Sequence, residues 1–168
     1  MRKKIIGSLV IICLSLLVIS CKKNDYNGIY IEDIIISGTS VNGLKYIISE
    51  NGKYRFEVKS GSIQIDPYPD QVIGGSGWTT FIDIYKNKPI ERGTTGYQNL
   101  INSDYTVGGN DENLTEEAAA NQGKGKYIDI RLSTGDYLIF VVNDGGSCGD
   151  SDCYFDNIGS VTLNVYRE

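Results

Sequence analysis

Apolar residues along this chain recur in runs of strand length, and most of the runs alternate. Lys53–Lys59 sets Tyr54, Phe56 and Val58 against Arg55, Glu57 and Lys59, and Tyr127–Leu132 sets Ile128, Ile130 and Leu132 against Asp129 and Arg131. Val161–Tyr166 repeats the pattern, with Val161, Leu163 and Val165 against Thr162, Asn164 and Tyr166. A period of two sends successive side chains to opposite faces, so each of these segments predicts a strand with one buried and one wet face. Ile29–Ile36, Leu44–Ser49, Ser62–Ile65 and Trp78–Lys86 share the same Ile, Val, Tyr and Phe content between Gly, Asn and Asp. Tyr137–Asn143 contains the unbroken run Leu138-Ile139-Phe140-Val141-Val142, the pattern of a central strand covered on both faces.

Turn residues divide the runs. Asn51-Gly52 predicts a two-residue hairpin joining its flanking strands, because both positions tolerate positive φ. Ser133–Asp136 turns one strand into the next, and Asp66-Pro67-Tyr68-Pro69-Asp70 ends another, since proline cannot donate to a ladder. Residues 87–126 are the least regular part; there Leu114–Ala120 predicts a turn or two of helix, capped by Asn113 or Thr115. Trp78, at the start of its strand, is expected in the core or as a hairpin plug. About eight short strands with close turn signals predict an all-β fold, an antiparallel β-sandwich of jelly-roll type, over residues 29–168.

The N-terminus follows a different pattern. Arg2, Lys3 and Lys4 precede an apolar stretch from Ile5 to Ile19, which is shorter than the roughly 20 residues a spanning helix needs and reads as a secretory signal. The stretch closes on Val18-Ile19-Ser20-Cys21. These four residues resemble the lipobox of bacterial lipoproteins, which implies removal of residues 1–20 and lipidation of Cys21, a palmitate-type membrane anchor. Residues 21–28 then form a tether. Lys22-Lys23-Asn24-Asp25 is similar to signals that send some lipoproteins to the outer membrane, so the expected location is the bacterial cell envelope, on the outer membrane.

Composition narrows the function. Loss of residues 1–20 removes three of 16 basic residues and none of 21 acidic ones, leaving 13 against 21, a net charge of −8. Such a surface argues against nucleic-acid and anionic-headgroup binding, both of which need a basic footprint. With no histidine, Ser-His-Asp, Cys-His and His-ligated zinc sites are excluded. An enzyme is not expected. The remaining route to one is a glycosidase drawing paired carboxylates from Asp66, Asp70, Asp104, Glu116 or Glu117.

Candidate chemistry concentrates in Asn143–Ser160, where four carboxylates and two carboxamides fall within 18 residues. Calcium takes six to eight oxygens from carboxylates, amides and backbone carbonyls, and this composition supplies them. Counting from Asp144 or Asp150 puts no glutamate at position twelve, so the segment is not an EF-hand. Cys148 and Cys153 either pair in the oxidising compartment, fixing the Gly149–Asp152 segment, or remain thiols. Asp150, Asp152 and Tyr154 are the candidate ligand contacts, Tyr154 because an exposed ring stacks on a sugar. Asp156-Asn157-Ile158-Gly159 also suits an Asx turn that merely starts the last strand.

Asn143-Asp144 followed by Asp156-Asn157-Ile158-Gly159-Ser160 resembles the C-terminal part of calcium-dependent bacterial galactose-binding lectins of the galactose-binding-domain-like class. The resemblance implies side-chain calcium ligands at Asp144, Asp156 and Asn157, a loop carbonyl near Ser147, and a metal that bridges sugar hydroxyls. The chain departs from that family in its longer loop, in its cysteine pair and in lacking a histidine. The expectation is a membrane-tethered binding module with calcium-assisted glycan recognition. Its alternative is a structural or assembly lipoprotein that meets envelope protein partners.

Overall fold

A computed structural model describes residues 26–65, 77–92, 100–109, 115–142 and 157–168. Nine strands and one short helix make up these segments: β1 (Ile29–Ser37), β2 (Leu44–Ile47), β3 (Gly52–Ile65), β4 (Gly77–Thr79), β5 (Ile82–Lys86), β6 (Tyr105–Val107), α1 (Glu116–Gly123), β7 (Tyr127–Leu132), β8 (Tyr137–Val142) and β9 (Ile158–Arg167). The strands form two antiparallel sheets. In the first, β9 lies between β1 and β3, while β7 and β4 pair with the other edge of β3, β7 at its first half and β4 at its end. The second runs β2-β8-β5-β6.

The predicted alternation places the core. Tyr54, Phe56 and Val58 of β3, Ile130 and Leu132 of β7, and Val161, Leu163 and Val165 of β9 turn inward against Ile82, Ile84, Leu138 and Phe140 of the facing sheet. Phe56 sits among rings, with Phe140 at 5.0 Å, Tyr46 at 6.0 Å edge-on and Tyr54 stacked at 6.3 Å. Such pairs add about 0.5–1.5 kcal/mol each beyond the area they bury. β8 is covered on both faces, as its unbroken apolar run predicts: Leu138 and Phe140 face the core, and Val141 on the other side is also buried.

Several connections differ from the sequence expectation. β2 pairs with β8 and β3 with β9, so Asn51-Gly52 does not close a hairpin but carries the chain from one sheet to the other. Asn51 keeps a negative φ, and its side-chain oxygen accepts from the Thr134 backbone N–H at 2.8 Å, tying this crossover to the one between β7 and β8. Ser133–Asp136 likewise turns between sheets rather than within one. The expected strand Trp78–Lys86 breaks at Thr80-Phe81, where β4 leaves the first sheet and β5 enters the second. Trp78 consequently lies half-buried on a short outer strand, not in the core. Lys53–Lys59 and Ser62–Ile65 join into one 14-residue strand with a bulge between Val58 and Ser60, and Tyr105–Val107 adds a strand that its three residues did not announce.

α1 forms two residues later than expected, with Thr115 as its N-cap: the Thr115 hydroxyl accepts from the Ala118 N–H at 3.2 Å. Glu116 and Glu117 occupy its first turn, where the helix dipole favours negative charge. Ala119 is fully buried, and the Ser62 hydroxyl donates to the Glu116 carbonyl at 3.2 Å, so the helix is pinned beside β3.

Candidate functional site

The strand directions gather one set of strand ends at one pole of the sandwich. Ser37 pairs with Ser160, Gln64 with Ile158, Ile65 with Gly77, and Ile82 with both Val107 and Val142. Thr79 and Thr80 hold Gly109 at this pole: the Thr79 hydroxyl donates to the Gly109 carbonyl at 3.4 Å, and the Gly109 N–H donates to Thr80 Oγ1 at 2.9 Å. The described residues that flank segments 66–76, 110–114 and 143–156 therefore all lie here. Those three segments carry eight carboxylates and no lysine or arginine. The described ends of all three acidic segments thus share this end, the acidic pole.

Asn157 is the described residue of the predicted calcium set. It is 3% exposed, and its Nδ2 donates to the Gly38 carbonyl at 3.0 Å, while the Gly38 N–H donates to the Gly159 carbonyl at 3.0 Å. A carbonyl can only accept, so the bond to Gly38 fixes which end of the carboxamide is nitrogen and turns Oδ1 the other way. Oδ1 is buried and meets no hydrogen-bond donor among the described residues. A buried carbonyl oxygen left unsatisfied costs about 1–3 kcal/mol, so the atom has the chemistry of a site awaiting a donor or a cation. Packing around it is close: a Cβ on Gly38 would stand 2.7 Å from Ile63 Cγ2 and 3.3 Å from the Asn157 Cβ.

Cys21, Asp144, Cys148, Asp150, Asp152, Cys153, Tyr154 and Asp156 lie outside the described residues. Among the described residues no group of three His, Cys, Asp or Glu side chains is placed to hold a metal ion, and no helix is long and apolar enough to cross a membrane. Three of the five glycosidase candidates, Asp104, Glu116 and Glu117, are described. Asp66 and Asp70 lie outside the described residues, and Asp104 sits at the pole away from Glu116 and Glu117, its Oδ2 accepting from the Lys86 N–H at 2.8 Å and its Oδ1 3.3 Å from Lys88 Nζ.

Two further features stand out only in three dimensions. Asp83 on β5 is 2% exposed although it points away from the core between the sheets, opposite Val141, because the connection after β5 folds over this face. Tyr85 shows that cover: its hydroxyl donates to the carbonyls of Ile101 at 2.9 Å and Glu91 at 3.3 Å. Nothing in the alternation of Ile82 and Ile84 around Asp83 marks it as buried.

The second feature is a ladder of rings and charges on the outer face of the first sheet. Arg55 lies between Tyr26 and Tyr127, its guanidinium 3.9 Å and 3.6 Å from their ring centres, and donates twice to Asp129 at 2.8 Å and 3.0 Å. The Arg55 hydrogen bonds hold the Asp129 carboxyl below its usual range. Tyr26 and Tyr30 both meet Tyr166 edge-on at 5.8 Å. Lys59 and Asp33 close the ladder with an ion pair. The alternation of β3 and β7 gives the outward direction of Arg55 and Asp129 but not their pairing, which depends on register.

No family model, no curated protein and no solved structure matches the chain.

Proposed function

We propose that the chain is a lipid-anchored, extracytoplasmic binding module, a jelly-roll sandwich of galactose-binding-domain-like type whose acidic pole takes calcium and, through it, a glycan. The strand order supports the jelly roll: β1-β9-β3-β7 facing β2-β8-β5-β6 is the connectivity of two interlocked Greek keys. The basic leader and Val18–Cys21 support the lipid anchor, and Lys22–Asp25 supports its place on the outer membrane.

One observation carries the site: the buried Oδ1 of Asn157, without a hydrogen-bond partner among the described residues, at the pole that holds the described ends of the three acidic segments. Calcium accepts a carboxamide oxygen as readily as a carboxylate and tolerates six to eight ligands in a flexible shell. In this reading Asn157 joins Asp144 and Asp156, and a bound calcium exchanges coordinated water for sugar hydroxyls. Tyr154 stacks on the sugar ring, while Asp150 and Asp152 accept from its hydroxyls.

A calcium titration followed by thermal melting tests the metal, with a glycan array run in calcium and in chelator as the second arm. At a hundredfold excess over its dissociation constant calcium adds about 2.7 kcal/mol of stability, and Asp144→Ala removes the gain. A melting point indifferent to calcium and chelator overturns the metal. Stable co-purification with another envelope protein, together with that indifference and a blank array, would favour the structural lipoprotein.

A further inference from the structure

The pole opposite the acidic one is where the chain enters the domain. Tyr26 is fixed there: its ring lies on Arg55 and its hydroxyl donates to the Lys53 carbonyl at 3.3 Å, beside the start of β3. Ile29 pairs with Arg167 at the end of β9, and Ile47 pairs with Tyr137 at the start of β8. β1 and β2 are neighbouring edges of the two sheets, joined by the Tyr46 hydroxyl donating to Glu32 at 3.0 Å.

This entry pole collects apolar surface. Of eight large hydrophobic residues exposed among the described ones, five lie here: Ile29 at 67%, Tyr30 at 52%, Ile31 at 38%, Ile47 at 65%, and Ile101 at 42% on the connection after β5. Ile31 is the extra residue of a bulge between Tyr30 and Glu32, which lets three consecutive side chains stay exposed. Several charges at this pole pair locally, Arg167 with Glu50, Lys86 with Asp136, and Lys88 with Glu91 and Asp104, while Glu32 beside Ile31 accepts from the Tyr46 hydroxyl. Only five peptide units separate Cys21 from Tyr26, a reach of at most about 18 Å.

The geometry points to the entry pole as a membrane-resting surface: Ile29, Tyr30, Ile31 and Ile47 sit in the interface of the bilayer that holds the Cys21 acyl chains. This rests on the anchor reading above. Two physical terms set the orientation. Apolar and tyrosine side chains favour the headgroup boundary, and the acidic pole is repelled by anionic lipid, so the candidate calcium end faces outward.

The test uses the full acylated protein in vesicles of phosphatidylethanolamine and phosphatidylglycerol containing brominated acyl chains, which quench tryptophan on contact. Trp78 pairs with Gln64 near the acidic pole and is the natural distal reporter. In a Trp78→Phe background, Ile47→Trp is expected to lose at least half its emission to the brominated lipid, while native Trp78 and Ile158→Trp lose none. Hydrogen exchange on the unaltered chain gives a second readout, with the Tyr30 and Ile31 amides slowed severalfold in vesicles relative to detergent. An acylated, vesicle-bound protein with no quenching at Ile47→Trp and no slowed exchange overturns the orientation and leaves the anchor standing. A chain without acyl modification that stays free of vesicles overturns both.

Discussion

Arg55 is held by three kinds of contact at once: two hydrogen bonds to Asp129, a ring on each side, and burial to 7% exposure. Each cation–ring contact contributes about 0.5–1 kcal/mol at an exposed site, and loss of a bidentate carboxylate partner adds a comparable cost. Arg55→Ala is therefore expected to lower unfolding free energy by about 2–3 kcal/mol in urea, and Arg55→Lys to recover under half of it, since an ammonium lacks the planar fork. Asp136 offers a pH test. Its carboxylate accepts from the Ser133 N–H and the Asn87 amide and faces Lys86, which together bring its pKa from 3.8 down to about 2. A depressed carboxylate stabilises the fold fully above its unfolded value and loses that contribution as pH falls through its folded value. Asp136→Asn should then flatten the decline in melting temperature between about pH 4 and pH 2, measured against the parent chain. At this scale the sequence was only half legible. Residue direction along β3 and β7 follows from alternation, but the partners of Arg55 and the burial of Asp83 depend on which strands and connections meet them. Asn157 was readable as an oxygen donor from its neighbours in sequence; its burial and unpaired oxygen were not.

Among the elements, alternation located the strands well and their connections poorly. Val161, Leu163 and Val165 are fully buried as the period of two requires, and the apolar run of β8 does mark a strand covered on both faces. The failures share one cause: a turn signal reports that the chain reverses, not whether the next strand pairs with the last or crosses to the facing sheet. Asn51-Gly52 and Ser133–Asp136 both cross, because each sheet draws its neighbours from distant parts of the chain, and Thr80-Phe81 crosses with no turn signal at all. Gly159, in the stretch expected to start the last strand, is a strand residue with φ +96 in β9, its position opposite Ile63 leaving no space for a side chain. A Cβ there would stand 2.5 Å from the Ser62 carbonyl oxygen. Gly159→Ala combines a disfavoured φ with a backbone collision and should cost at least about 2 kcal/mol, read as a lowered urea midpoint with an unchanged slope. Because Gly159 also accepts from Gly38 beside Asn157, the same substitution is expected to weaken any calcium-induced rise in melting temperature.

For the whole molecule, the decisive feature is that its last strand is central. β9 lies between β1, the first strand, and β3, and it pairs along the length of both. Most of the first sheet therefore cannot assemble until the C-terminal residues arrive, and loop-closure entropy over more than a hundred residues must be overcome before those contacts form. The expected folding rate is that of non-local β topologies, on the order of milliseconds to seconds. A chain ending at Asn157 would expose the inner face of β1 and β3 and leave two ladders unpaired, with the aromatic cluster at Phe56 losing its Val165 neighbour in the sheet. Such a chain is expected to show no cooperative denaturant transition and no dispersed amide spectrum, whereas removal of residues before Tyr26 should leave both intact. The asymmetry follows from position alone: Tyr26 lies on the outer face of a finished sheet, while β9 is the strand that finishes it. Retention of a sharp transition without residues 158–168 would mean that β1 and β3 can pair directly, contradicting the strand order on which the two-pole architecture rests.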